Sequence, residues 1–414
     1  MREFIGIKLN LLSMKIPTLF VFAGIVAIAL IVAGCTTPTP PAENSVSVIY
    51  TKGTGPMPTL LATDQIDGYI AWQPFVEVAP LAGIGKVLVY SADLPPAGRW
   101  ENHPCCVFAA RQEVIDNSPD LTNALTAVLI LSTQYTNENP NESAEIVADW
   151  LAGKGNFTYG NISVSSVEVL KQAFPTVKFV NEPTEKWKND TLEFVYAQRE
   201  LGVLTGSLVN STDSESKALL FDSKPYYAAQ SMINSGNITT PVTQRETIGV
   251  GYLMSDHDAA LFVAVKNWKY FDDTYGIAIK PRDQTASRPD IADLIINGQP
   301  VAELKLISAD AGPQLMQLAA TDTIQYALVG NPPTTAAIDK GTPVKIVMAL
   351  NDEGSGVVIT NDAPANDWNS FVQWAKTRSG EGQPLKIAAP GKGSIQDILL
   401  RYSVEESGLS IKEG

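Results

Sequence analysis

The sequence contains little histidine, cysteine or positive charge. Its 414 residues include 2 His and 3 Cys, and 30 Lys and Arg stand against 44 Asp and Glu, which gives a formal net charge of −14. Nucleic-acid binding requires Lys- and Arg-rich surfaces, so this acidic balance argues against a nucleic-acid partner.

The three cysteines are too few and too poorly spaced to stabilise the fold as disulfides. Cys105 and Cys106 are neighbours, and adjacent cysteines form a disulfide only with strain. Cys35 lies in an N-terminal segment of different character. The core must therefore come from apolar burial, and the roughly 380 residues after that segment suffice for two lobes.

The long apolar run of the chain lies near the N-terminus. It spans residues 16–34, follows a basic stretch and ends directly before Cys35. A run of this length serves either as a signal peptide or as a membrane anchor. The Ala-Gly-Cys ending resembles a lipobox, which implies a lipoprotein signal peptide over residues 1–35 and a lipidated Cys35. Residues 36–44 then form a stiff tether, and both alternatives place the remaining chain outside the cytoplasm, at the outer face of the cell membrane.

Two segments match each other at a constant offset of 258 positions without a gap. One begins at Ala62 and the other at Ala320. Each predicts the end of a helix, a short apolar strand and a proline at the start of a second helix. Such units also resemble one another by chance. A β-α unit repeated at this spacing indicates two similar α/β lobes, so the cleft between them is the first place to look for a site.

Five motifs together carry a resemblance to one known family. Residues 247–414 contain IGVGYLMSDHDAALFVAVKNWKYF, YALVGNPPTTAAIDKGTPVKIV and KIAAPGKGSIQDILLRY, and residues 45–204 contain MPTLLATDQIDGYIAWQPF and NHPCCVFAARQEVI. The first three resemble the beginning, and the last two the continuation, of the solute-binding proteins of nitrate/sulfonate/taurine-type ABC importers. The resemblance implies an α/β, periplasmic-binding-protein-like (type II) fold with a ligand cleft between two lobes.

The two parts stand in the opposite order from the family. In the family, residues 409–412 would continue directly into residues 45–48. The chain is therefore either a circular permutant or a piece of a longer tandem protein cut at Gly414. We favour the permutant, because the two parts add up to one domain and new termini in exposed loops are tolerated. It predicts that the two strands lie close in space.

The permuted order divides the chain into seven segments. They are the signal peptide (1–35), the tether (36–44), a second-lobe α/β segment (45–118), a helical segment returning to the first lobe (119–211), a linker joining the family's usual termini (212–246), the first lobe (247–361) and the start of the second lobe (362–414).

Helix starts that face the cleft supply most of the candidate ligand contacts. Free N–H groups and a partial positive charge of about half a unit make a helix N-terminus suitable for an anion. The resemblance implies contacts from three such turns: Ser255, His257, Gly330, Asn331, Pro332, Thr334, Lys392, Gly393 and Ser394. An ordinary turn, a helix cap at Ser394 and a solvated loop histidine at His257 are the alternatives.

Trp72 and Asn102 complete the set of candidate contacts. Trp72 stands at the repeat position of Gly330, so its flat ring is expected at the cleft, although packing between the lobes explains it equally well. The family often has Trp-Glu-Pro here, whereas this chain has Trp-Gln-Pro, which weakens the case for an amine-bearing ligand. Asn102, with His103, lies on the crossing back between the lobes and is a weaker candidate.

Capture of a small solute without chemistry is the function that the resemblance implies. We expect a monomeric, membrane-anchored lipoprotein that captures a small anion such as a sulfonate, taurine or nitrate, and delivers it to ABC permease and ATPase subunits. A pyrimidine-like or other small organic ligand, or a sensor or adhesin on the same fold, is the alternative.

An enzyme is the remote alternative. Related folds include a pyrimidine-forming synthase with a cysteine-rich iron motif, and His103-Pro104-Cys105-Cys106 lies in a comparable stretch. Metal ligation needs three or more well-placed donors. Because the chain has two histidines and one of the two neighbouring cysteines is expected to face the core, we predict no metal, no cofactor and no catalytic residue.

Overall fold

The computed structural model describes residues 44–153, 155–241 and 247–414. The predicted signal peptide, Cys35 and almost all of the tether lie outside these residues. Within them no helix combines the length and the apolar character needed to cross a membrane.

Strands and helices alternate along most of the described chain. The strands are β1 (Ser45–Tyr50), β2 (Gly68–Trp72), β3 (Lys86–Tyr90), β4 (Pro104–Arg111), β5 (Asn156–Tyr159), β6 (Ile162–Ser165), β7 (Val177–Phe179), β8 (Thr247–Leu253), β9 (Ile277–Pro281), β10 (Ile291–Ile296), β11 (Gln299–Ala309), β12 (Tyr326–Gly330), β13 (Val344–Glu353), β14 (Ser355–Ile359), β15 (Lys386–Ala389) and β16 (Ser410–Glu413). The helices are α1 (Met57–Ala62), α2 (Phe75–Ala82), α3 (Gln112–Asn117), α4 (Pro119–Glu138), α5 (Pro140–Ala152), α6 (Ser166–Ala173), α7 (Glu185–Glu200), α8 (Asp213–Leu220), α9 (Lys224–Ser235), α10 (Ala259–Lys266), α11 (Trp268–Tyr275), α12 (Gly312–Ala320), α13 (Asn331–Asp339), α14 (Trp368–Gly380) and α15 (Ile395–Glu406).

Two mixed sheets form the framework, and both contain the same five-strand arrangement. One sheet has the order β16-β1-β15-β2-β14-β3 and the other β7-β13-β4-β12-β8-β11-β10-β9. In β1-β15-β2-β14-β3 and in β11-β8-β12-β4-β13, three parallel strands are followed by two antiparallel pairings. Parallel neighbours require crossover connections, and helices supply them here. The mixed α/β class predicted from the sequence is confirmed.

Two segments of the chain pass from one sheet to the other. Strand β13 of the eight-stranded sheet continues through Gly354 into β14 of the six-stranded sheet, and residues 91–103 lead from β3 back to β4. The two crossings touch, because the N–H of Glu353 donates to the carbonyl oxygen of His103 at 3.1 Å. The two crossings are therefore adjacent where the chain passes between the sheets.

The internal repeat is present in the backbone. Asp64 and Asp322, which are 258 positions apart, both adopt the left-handed conformation, with φ of 53° and 58°. The N–H of the following residue donates to the carbonyl oxygen of Leu60 at 3.0 Å in one copy and of Leu318 at 2.9 Å in the other. The helix–strand–helix unit predicted twice from the sequence is confirmed as α1-β2-α2 and α12-β12-α13.

The two ends of the described chain lie side by side. Strand β16 pairs in parallel with β1, with Lys412 opposite Ser47, and the N–H of Ser410 donates to the carbonyl oxygen of Asn44 at 2.8 Å. The proximity that a circular permutant requires is therefore present.

The segment predicted as a linker, residues 212–246, is partly helical and contains α8 and α9. A reciprocal capping box starts α8: the N–H of Glu215 donates to Thr212 Oγ1 at 3.3 Å, and the N–H of Thr212 donates to Glu215 Oε2 at 2.8 Å. Leu220 and Tyr226 are buried. The polar composition of this segment was interpreted as a linker, but each helix buries apolar side chains.

Candidate functional site

A cavity lies between the two sheets, at the carboxyl ends of β2, β8 and β12. About 20 Å³ of it is open to the centres of water-sized molecules, which is room for about one water molecule. Its lining residues are Trp72, Cys106, Leu253, Ser255, His257, Gly312, Gly330, Pro333, Ser394, Ile395 and Gln396. Trp72, Ser255, His257, Gly330 and Ser394 were predicted as contacts, so the fold brings these five together.

Local hydrogen bonds hold two of the polar groups in place. Ser394 is the N-cap of α15, and its Oγ accepts from the N–H of Asp397 at 3.2 Å. Ser255 Oγ donates to the carbonyl oxygen of Gln73 at 2.9 Å and accepts from the N–H of His257 at 3.2 Å. Trp72 differs, because its buried indole N–H has no partner among the described residues. It is therefore a buried donor without a protein acceptor at the cavity.

The predicted residues Asn331, Pro332 and Thr334 belong to the first turn of α13 and do not line the cavity. Thr334 Oγ1 donates to the carbonyl oxygen of Gly330 at 2.9 Å, and the Pro332 carbonyl accepts from Gln198 Nε2 at 3.0 Å. Asn331 is fully buried. These three residues support the helix start rather than the cavity wall.

Lys392, Gly393 and Asn102 lie away from the cavity. Lys392 and Gly393 line a separate groove, and Lys392 Nζ pairs with Glu413 on β16 at 2.6 Å. Asn102 accepts a hydrogen bond from Lys178 Nζ at 2.6 Å in another pocket. The expectation of an added cation at the cavity is not met, because strand pairing brings a carboxylate to Lys392.

His257 and the two neighbouring cysteines form a buried cluster in the cavity wall. The Nδ1 atom of His257 lies 3.4 Å from Cys105 Sγ and 3.6 Å from Cys106 Sγ, and the two sulfurs are 3.9 Å apart. Cys105 faces the core, as one of the two cysteines was expected to do, yet both sulfurs contact His257. The pairing of β4 with β13 is irregular at this point, so the side chains of successive residues do not separate to opposite faces.

Electrostatics in the cluster favour charge separation. Burial raises the pKa of the Cys105 thiol, but the hydrogen bond with Cys106 and the charge of His257 outweigh it and hold that pKa well below its usual range. Burial disfavours the imidazolium of His257, yet the Cys105 charge outweighs this and raises its pKa to about 9. Both shifts favour a thiolate at Cys105 beside an imidazolium at His257.

Buried carboxyl groups surround the cluster. Burial raises the pKa of Asp256 to about 7, and it also raises the pKa of Asp258 well above its usual range. Asp258 Oδ2 accepts from the N–H of Leu253 at 2.6 Å. Both oxygens of Asp256 and Oδ1 of Asp258 have no hydrogen-bond partner among the described residues. Burial therefore favours the protonated, neutral form of both carboxyl groups.

Asp352 on β13 gives a pH-dependent prediction. Burial raises its pKa from 3.8 to about 7, while its Oδ1 accepts from Trp187 Nε1 at 3.0 Å. At a pH between these two values, the carboxyl group is ionised in the unfolded chain but protonated in the folded protein. The contribution of Asp352 to stability therefore falls as the pH rises from about 4 to 7. We expect Asp352→Asn to be neutral at pH 4 and to stabilise by about 1–2 kcal/mol at pH 7.5.

Urea unfolding of both proteins across this pH range measures the effect. Asp310→Asn, at an exposed position, is the control and is expected to show no such trend. A difference between Asp352→Asn and the unmodified protein that does not change with pH would contradict the prediction.

Comparisons with known proteins find matches to parts of this chain. The model of the NMT1-like family matches residues 28–152 and 243–414, which is more than two thirds of the sequence. A stretch of 120 residues is 32% identical to an uncharacterized protein of Methanocaldococcus jannaschii, covering 29% of this chain and 80% of that protein. No solved structure matches. The chain therefore belongs to the NMT1-like family, which is generally a family of solute-binding proteins of the periplasmic-binding-protein-like type.

Proposed function

We propose that this protein captures a small solute in the cavity between the two sheets and delivers it, without chemistry, to the permease and ATPase subunits of an ABC importer. One observation carries the proposal: predicted contacts from separate parts of the chain converge on a single cavity. Because the cavity has room for about one water molecule, the sheets must move apart to admit the solute in this proposal.

A small oxyanion is the solute class that the cavity favours. Gly330 and Ser394, the N-caps of α13 and α15, both line it, so two helix N-termini border the same space. Each contributes partial positive charge at its first turn. The aromatic ring of Trp72 favours a second candidate, a planar pyrimidine-like solute that would stack on it.

Each sheet, in this proposal, is the core of one lobe, and the lobes close about the two crossings when the solute binds. The matching five-strand arrangements support two equivalent lobes. The pairing of β1 with β16 supports a circular permutant, in which residues 212–246 join the family's usual termini.

The protein is further proposed to be a monomeric lipoprotein on the outer face of the cell membrane. The apolar run before Ala-Gly-Cys supports lipidation of Cys35. Intact-mass measurement of protein extracted from membranes checks this: cleavage before Cys35 with added acyl mass is expected, and an unmodified N-terminus contradicts it.

Thermal unfolding against a panel of nitrate, taurine, alkanesulfonates, bicarbonate and pyrimidines tests the function. A ligand at ~100 times its dissociation constant stabilises by about 2.7 kcal/mol, which shifts the midpoint by a few degrees. An anion is expected to give this shift. A shift by pyrimidines alone would replace the anion with the second candidate. No shift, together with no small molecule released on denaturing the freshly purified protein, would contradict capture.

A matched pair of variants locates the binding. Gly330→Val fills the cavity, since even a Cβ atom at Gly330 lies 3.0 Å from the Ile395 side chain. Gly55→Val adds the same atoms where nothing lies within 4 Å. We expect Gly330→Val to abolish the shift and Gly55→Val to retain it; loss in both or in neither would place the solute elsewhere.

A further inference from the structure

The ligand atoms of Cys105, Cys106 and His257 are spaced as a tetrahedral metal ion would hold them. With metal–sulfur bonds of ~2.3 Å and a metal–nitrogen bond of ~2.1 Å, tetrahedral geometry places the sulfurs about 3.8 Å apart and each sulfur about 3.6 Å from the nitrogen. The structure has 3.9 Å between the sulfurs, and 3.4 and 3.6 Å to Nδ1. We propose that these three side chains bind one thiophilic transition-metal ion of the Zn²⁺ type.

The hydrogen bond on the far side of His257 presents the correct nitrogen to the metal. Nε2 lies 2.9 Å from the carbonyl oxygen of Gly354, which can only accept, so Nε2 carries the proton. In the neutral ring Nδ1 then has its lone pair directed at the two sulfurs. A backbone carbonyl that orients a ligating histidine in this way is a usual outer partner of protein metal sites.

Charge balance also favours a cation in this position. Two thiolates, a neutral imidazole and a divalent ion sum to zero, so the loaded site places no net charge in the buried cluster. Two protons leave the cluster as the ion binds, so that both sulfurs are thiolates and the imidazole is neutral.

The cavity gives the site an entry path. Cys106 and His257 line the cavity as well as belonging to the cluster, whereas Cys105 is fully buried. Three protein ligands leave one tetrahedral position for water or another small donor. The metal site does not depend on the proposed solute, and metal alone is the probe that tests it.

Titration of the reduced, purified protein with Co²⁺ is the direct test. One ion per chain with a sulfur-to-cobalt charge-transfer band, displaced by Zn²⁺, is the expected result. Cys105→Ser, Cys106→Ser and His257→Gln should each weaken binding by about tenfold or more, and each cysteine variant should weaken the band. His103→Gln is the matched control, because that buried histidine pairs with Ser91 at 2.9 Å outside the cluster.

A measurement on the unmodified protein tests the metal site without depending on the folding of any variant. Zn²⁺ should protect Cys105 and Cys106 from alkylation, read peptide by peptide so that Cys35 does not contribute. The proposal is overturned if the reduced protein binds no stoichiometric ion at micromolar metal, or if the double variant Cys105→Ser/Cys106→Ser binds as well as the original chain.

Discussion

Gly354→Ala is expected to lower the free energy of unfolding by about 2–4 kcal/mol, because two costs add. Gly354 has a φ of 80°, a left-handed conformation that side chains other than glycine adopt at a cost. An added Cβ would also collide with the His257 ring and lie 2.9 Å from Val177 Cγ2. The crossing between β13 and β14 cannot relax freely, since Glu353 next to it is tied to His103.

Gly393→Ala separates the cost of the left-handed backbone from the cost of the Cβ collision. Gly393 has the same φ of 80°, but a Cβ there would meet nothing within 4 Å. Denaturant unfolding of both variants should show the larger loss at Gly354, and the difference is the packing cost. Because displacement of His257 would disturb the proposed metal ligand, Co²⁺ affinity should fall only in Gly354→Ala. Equal losses of stability in the two variants would show that His257 moves aside without cost.

Asp339→Ala is expected to destabilise the protein by about 3 kcal/mol, because three backbone N–H groups, including that of the buried Leu208, lose a charged acceptor. Asp339 ends α13, and its carboxylate accepts from the N–H groups of Thr205 and Gly206 at 2.8 Å and of Leu208 at 2.7 Å. These three residues connect α7 to α8 in the part of the chain that the family model does not match. The loss of stability in this variant therefore measures how much the contact between Asp339 and residues 205–208 contributes to folding.

Asp283→Ala is the matched control for this substitution. Asp283 also accepts from two backbone N–H groups, those of Thr285 and Ala286, but in an exposed turn where water can replace it. Its removal should cost much less in the same unfolding experiment. If Asp339→Ala costs no more than Asp283→Ala, residues 205–208 do not depend on the carboxylate for their position.

Several elements of the fold could be predicted from local sequence patterns. The helix–strand–helix unit predicted from the two matching segments is present in both copies. The hairpin of β10 and β11 was missed, although Asn297-Gly298 between its strands is a hairpin-turn sequence, and both residues adopt positive φ. The helices α8 and α9 were missed because a polar composition was interpreted as a linker.

The sequence by itself determined the repeat, the mixed α/β class and the helix starts that border the cavity, because each depends on residues close together in the chain. Only the tertiary structure decided which side chains meet. His257 lies about 150 positions from the cysteines it contacts, through an irregular start to β4. Lys392 pairs with Glu413 on an edge strand and lies outside the cavity. Such contacts follow from strand pairing and register, which neighbouring residues do not encode.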